Sequence, residues 1–266
     1  MIAPAAAPIL LRLSAAAALL TLAAVAATLA LPDPFAAIPR ELHPGAWSQD
    51  TISAPAALAL LVVNARLRRG WAKGWLIWAG LIGYLIYAYG LYSFDRVMNP
   101  AWPLYLGVLS SAAFAALLFL RAVDPAALRA APRPPPRRIV AGLFALLVVL
   151  FTALWLSMLI PAMAARDPLP GQTIFVLDLA FALPLTGLTA WLLWRAHPVG
   201  DLLAIPMLMK VAVLGVSVFL GTLYTWAFFD GPFLAFDLAL YALMGFGPAV
   251  LIWPFWRGLE VSEAAR

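Results

Sequence analysis

Cysteine is absent and histidine appears only twice, as His43 and His197. Disulfides, thiolate metal sites and cysteine nucleophiles are thereby excluded. Haem held inside a membrane needs histidines facing each other from helices, and these two fall in predicted loops on opposite sides. Charge is scarce as well. Only 11% of residues are Asp, Glu, Lys or Arg, against about a quarter in a soluble domain. No GxGxxG, P-loop, HExxH or GxSxG occurs, which removes the commonest nucleotide-binding, zinc-protease and hydrolase readings. No catalytic residue, metal ligand or cofactor is assigned.

What remains is apolar. Hydrophobic residues make up 65% of the chain and mean hydropathy is +0.96, the composition of a protein built for lipid. A net charge of +5 does not point to nucleic acid, because the basic residues lie in short loops rather than in one stripe. Segments of about 20 apolar residues are long enough to cross about 30 Å of hydrocarbon. They fall at 8–31, 50–66, 74–93, 102–120, 139–164, 172–195, 202–228 and 233–256. The first has an apolar run too long for a secretory signal core and is expected to be retained. An all-α, polytopic transmembrane bundle of eight spans follows.

Loop charge tests the count. Assigning loops alternately puts Arg12, Arg66, Arg68, Arg69, Lys73, Arg121, Arg129, Arg133, Arg137, Arg138, Arg195, Arg257 and Arg266 on one side. The other side receives only Arg40, Arg96 and Arg166. The positive-inside rule predicts both termini in the cytoplasm. Residues 32–49 read as an ordered external connection. Residues 121–138 contain Pro132-Arg133-Pro134-Pro135-Pro136-Arg137-Arg138, a stiff extended linker whose arginines are expected to meet anionic headgroups. It divides the chain into an N-terminal half, 1–120, and a C-terminal half, 139–266.

Two charges lie deep inside apolar spans: Asp178 on the sixth and Lys210 on the seventh. Such residues mark a pathway, a ligand site or an internal pair. Helical phase puts Asp178, Thr186 and Thr189 on one face of the sixth span. Lys210, Ser217, Gly221 and Tyr224 form a stripe on the seventh, and Asp237 and Tyr241 share a face of the eighth. Depth arithmetic separates Asp178 from Lys210 by roughly 10 Å along the membrane normal. Asp237 is then the expected close neighbour of Asp178. Pro184 breaks the sixth helix by leaving the Ala180 carbonyl without its N–H, and Lys210 is placed to meet that break. Asp237 also suits a cap on the eighth helix. Tyrosines at two depths on the third span point to a polar cavity opening outward, or to hydroxyls bonding between helices.

Gly80, Tyr84, Tyr87, Tyr89, Phe94, Asn99, Leu104 and Tyr105, with Asp178, Pro184, Arg195, Gly200 and Lys210, resemble a pattern in a group of bacterial multi-pass membrane proteins. The resemblance implies a bacterial integral membrane protein, expected in the inner membrane, and carries no activity with it. The pattern as a whole favours a small-solute or ion transporter with a polar path between the sixth, seventh and eighth helices. Its candidate residues are Asp178, Lys210, Asp237, Thr186, Ser217, Tyr224 and Tyr241. A non-catalytic membrane subunit or scaffold of a larger complex is the alternative. An intramembrane lipid-modifying enzyme, using Asp178, Asp237, Tyr224 or Tyr241, ranks third. The partners expected are membrane lipids, a small-molecule or ion substrate, and a second copy or another membrane protein; nucleic acid is not among them.

Overall fold

A computed structural model describes residues 1–95 and 97–262. Arg96 and Arg266, both counted in the charge census, lie outside the described residues. Eight helices are long and apolar enough to cross a membrane. They are α1 Ala7–Ala30, α2 His43–Leu67, α3 Trp75–Phe94, α4 Trp102–Ala122, α5 Arg137–Ala165, α6 Gln172–Trp194, α7 Pro198–Phe228 and α8 Ala235–Arg257.

Several starts are written locally. Proline stands in the first turn of α1, α2, α4 and α7, where its missing N–H has no helical partner to lose. The His197 ring accepts the Val199 N–H ahead of α7, and Asn99 accepts the Ala101 N–H ahead of α4.

The second span differs from expectation at its start. A 3₁₀ turn, Arg40–Leu42, leads straight into α2 at His43. The connection expected over 32–49 is therefore shorter, and Asp50 lies two turns inside the helix. Ser48 and Gln49 read as loop and Asp50 as the start of the span, yet here all three are buried within the helix.

Two helices make the centre. In α3 and α7, 72% and 61% of the most apolar window is buried, against 17% in α8. α7 packs on α2, α3, α6 and α8, while α1 packs on α2 and α4. At the α7–α8 crossing Gly215 meets the Gly245 backbone so closely that a Cβ on either would clash. Small residues allow this approach, and dispersion then holds it.

The two ends of the bundle are built differently. At the end carrying the chain termini, strand β1 Leu128–Ala130 pairs antiparallel with strand β2 Leu259–Val261. This ladder is the departure from an all-α fold among the described residues, together with a bridge between Ile2 and Val123. The Lys73 ammonium donates to the carbonyls of Trp256 and Leu259, closing the C-terminal end of α8. Arg137 forks onto Asp201, each nitrogen 2.7 Å from a carboxylate oxygen. That arginine was expected to face headgroups; it ties the start of α5 to the start of α7 instead. At the opposite end the loops leave a cavity.

Candidate functional site

The sixth helix changes pitch where Asp178 sits. Residues Asp178–Ala182 form a π-helical turn between α-helical Gln172–Leu177 and Leu183–Trp194. Pro184 has no N–H to offer the Ala180 carbonyl, and a widened turn absorbs that gap. Asp178 opens the turn and is 7% exposed. Its Oδ1 accepts the Tyr87 hydroxyl at 2.9 Å and its Oδ2 accepts the Trp155 indole N–H at 2.9 Å. Trp155 is itself braced edge-on by Phe175. A buried carboxylate with both oxygens bonded is held in one orientation.

Asp178 forms part of the wall of a cavity of about 410 Å³ at the end opposite the termini. Six helices contribute: α2, α3, α5, α6, α7 and α8. Four carboxylates line it, those of Glu41, Asp95, Asp178 and Asp237, and no Lys, Arg or His does among the described residues. Tyr87, Tyr92, Phe151, Trp155 and Tyr241 supply aromatic wall, and Ser217 and Gln49 add neutral polar groups. Asp95 also accepts the Thr173 N–H near the start of α6, at 3.4 Å. Carboxylates together in a walled cleft, with no ion pair among the described residues, focus a negative field. Aromatic faces add attraction for a cation.

Lys210 stands on the far side of Tyr87. Its ammonium lies 4.1 Å from the centroid of the Tyr87 ring, and no ion pair joins it to Asp178. Tyr87 therefore connects the two charges, its hydroxyl on the acid and its ring face on the base. The Ala180 carbonyl, expected as a partner for Lys210, is not one: the ammonium has no hydrogen bond among the described residues.

The other candidates divide. Asp237, Tyr241 and Ser217 share the cavity with Asp178. Asp237 lies in the first turn of α8 without capping it. Thr186 donates to Ala182 and Thr189 to Leu185, each closing on its own helix, and neither lines the cavity. Tyr224 turns to α2, where its hydroxyl lies 3.2 Å from the Thr51 hydroxyl. The polar stripe read along α6 and α7 is thus broken at α6.

The tyrosines of α3 serve both expected roles. Tyr87 and Tyr92 line the cavity, while Tyr84 and Tyr89 are fully buried. The Tyr92 hydroxyl shares its one proton between the Asp50 Oδ1, at 2.9 Å, and the Ala46 carbonyl, at 2.7 Å. Tyr84 shares a 3.0 Å hydrogen bond with Ser53. The residues that sequence reasoning passed over are Tyr87 as the link, Trp155 as the second donor, and Glu41 and Asp95 on the rim. Asp50 was passed over too. A signal existed for Tyr87, which shares with Gly80 and Tyr84 the α3 face expected to join the polar faces of the later helices.

The fold and this cavity define a multi-pass membrane protein with an acidic, aromatic-walled chamber at one end of its bundle. No protein-family model, curated protein or solved structure matches the chain.

Proposed function

We propose that this chain is a permease for a small organic cation, loaded at Asp178 from the outer side of a bacterial inner membrane. The observation that carries the proposal is the cavity: four carboxylates, aromatic walls and no lining base among the described residues. The loop-charge bias supports termini in the cytoplasm, and in that orientation the cavity faces outward. A chamber open at one end and clasped at the other is one of the two forms alternating access requires.

The residues then take distinct roles. Glu41, Asp95 and Asp237 draw the cation in, and Asp178 pairs with it while Tyr87 and Trp155 keep the carboxylate aimed. Lys210 bars passage beyond Tyr87 by like charge. When Asp178 is empty, Lys210 moves toward it and takes the place of the load. The π turn and Pro184 give α6 a place to bend as the chamber closes.

The test is uptake of radiolabelled benzyltrimethylammonium into proteoliposomes. Saturable uptake is expected, lost in Asp178→Asn and in Lys210→Met while both variants insert normally. Uptake equal to that of protein-free vesicles, or unaffected by both substitutions, overturns the proposal.

A further inference from the structure

A second cavity, of about 470 Å³, lies on the other side of Tyr87. It runs between α3, α4, α6 and α7 and is almost wholly apolar. Lining residues on α3 extend from Trp78 to Phe94, about 24 Å of helix at 1.5 Å per residue. Its rim includes Phe94, Leu120, Phe181 and Leu185, all exposed on membrane-spanning helices. The groove thus opens sideways to hydrocarbon rather than endwise to water.

Its floor is kept open by small residues. A Cβ added at Gly83 would meet nothing nearer than the Lys210 Cγ, at 4.0 Å. Gly90, Ala79, Ala116 and Ala182 continue the low relief.

One charge enters this groove. Lys210 is the only Asp, Glu, Lys, Arg or His lining it among the described residues. The side chain is 9% exposed and has the Tyr87 ring as its seat, with no hydrogen-bond acceptor. A lysine that faces hydrocarbon without an acceptor is costly, and such residues serve a ligand or a partner charge. The missing group is an anion that reaches the site through lipid.

Depth selects among lipid-borne anions. Lys210 is a dozen residues into the 31-residue helix α7, about 18 Å from its start. That is close to the middle of a hydrocarbon layer about 30 Å thick. A phospholipid keeps its phosphate at the interface and cannot bring it there. A fatty acid carries a single small carboxylate at the end of one chain, and the groove can lead it to that depth, where the ammonium balances its charge.

We propose that the lateral groove binds a long-chain fatty acid, its carboxylate on the Lys210 ammonium and its chain laid over Gly83 and Gly90. The groove shares Tyr87 and Lys210 with the proposed cation path, but binding of a fatty acid in it stands whether or not the chamber transports.

Native mass spectrometry of the delipidated full chain, titrated with palmitate, tests this. One palmitate per chain is expected, with affinity at least about tenfold above that of methyl palmitate, which has the tail without the charge. Lys210→Met is expected to lose this preference. Gly83→Leu fills the floor with little strain on the bundle and is expected to weaken both ligands. Phosphatidylglycerol is expected not to displace palmitate. Equal binding of palmitate and methyl palmitate by the unaltered chain overturns the proposal and needs no variant. So does displacement by phosphatidylglycerol, or palmitate binding untouched in both variants.

Discussion

The two ends of the bundle treat charge in opposite ways. At the clasped end Arg137 and Asp201 meet in a two-pronged ion pair, and Lys73 is taken up by two carbonyls of the C-terminal segment. At the open end Glu41, Asp95, Asp178 and Asp237 surround one space with no lining base among the described residues. Charges that close a structure are paired within it. Carboxylates gathered without a counter-charge raise the energy of the empty site and lower it when a cation arrives. The clasped end reads as architecture, and the open end is where the proposed cation site lies.

The contrast can be broken at either end. Arg137→Met is expected to have the largest effect on stability, about 2–4 kcal/mol, a little under the loss from a fully buried pair because Arg137 keeps some solvent. It leaves Asp201 buried and unmatched. Thermal unfolding in detergent measures this, and cation affinity of the folded fraction should stay unchanged. Asp178→Ala comes next, at about 2–3 kcal/mol, because it strands the Tyr87 hydroxyl and the Trp155 N–H together. Unlike Arg137→Met, it should also abolish cation binding. An unfolding midpoint equal to that of the unaltered chain would contradict the two hydrogen bonds.

Tyr87→Phe keeps the ring beneath Lys210 and removes one donor from Asp178, for about 1 kcal/mol. Tyr92→Phe serves as its counterpart on the Asp50 side. It should cost a similar amount yet leave cation affinity alone. Equal changes in affinity from both would erase the distinction between the two acids. The smallest effect is expected at the rim. Asp95→Asn should weaken cation binding by about two- to threefold in low salt and less at high salt, since a partly exposed charge is screened.

Much of the fold is legible in the sequence because lipid imposes it. Eight apolar runs of sufficient length became eight helices, and only the start of α2 moved materially. There Pro44, Gly45, Ser48 and Gln49 suggest a loop, whereas Pro44 fits a first helical turn and the polar groups face other helices. Burial between helices cannot be read from hydropathy, so Asp50 went unnoticed. Its Oδ1 accepts from Tyr92, while its Oδ2 is buried and meets the hydrogen-bond distance and angle criteria with no group among the described residues.

The site was legible in part. Phase and depth brought Asp178, Asp237, Ser217 and Tyr241 toward one chamber. They placed Tyr87 on the α3 face expected to join but could not seat it on Asp178, and they did not bring in Trp155, because which face of α3 or α5 meets α6 depends on how all eight helices pack. Thr186 and Thr189 show the opposite failure. A hydroxyl on the right face suggests a path, yet a helical threonine readily bonds the carbonyl one turn back. Depth arithmetic set Asp178 and Lys210 apart, but it could not show that one tyrosine spans the gap.

Equilibrium binding at the open end tests the central claim most directly. Isothermal titration of the purified chain with benzyltrimethylammonium should show one site, with affinity reduced at least about tenfold, or about 1.4 kcal/mol, in Asp178→Asn. Benzoate, of similar size and opposite charge, should give no heat of binding at that site. Undiminished binding of the cation to Asp178→Asn, or binding of benzoate as strong as that of the cation, would contradict the assignment of the open end as a cation site.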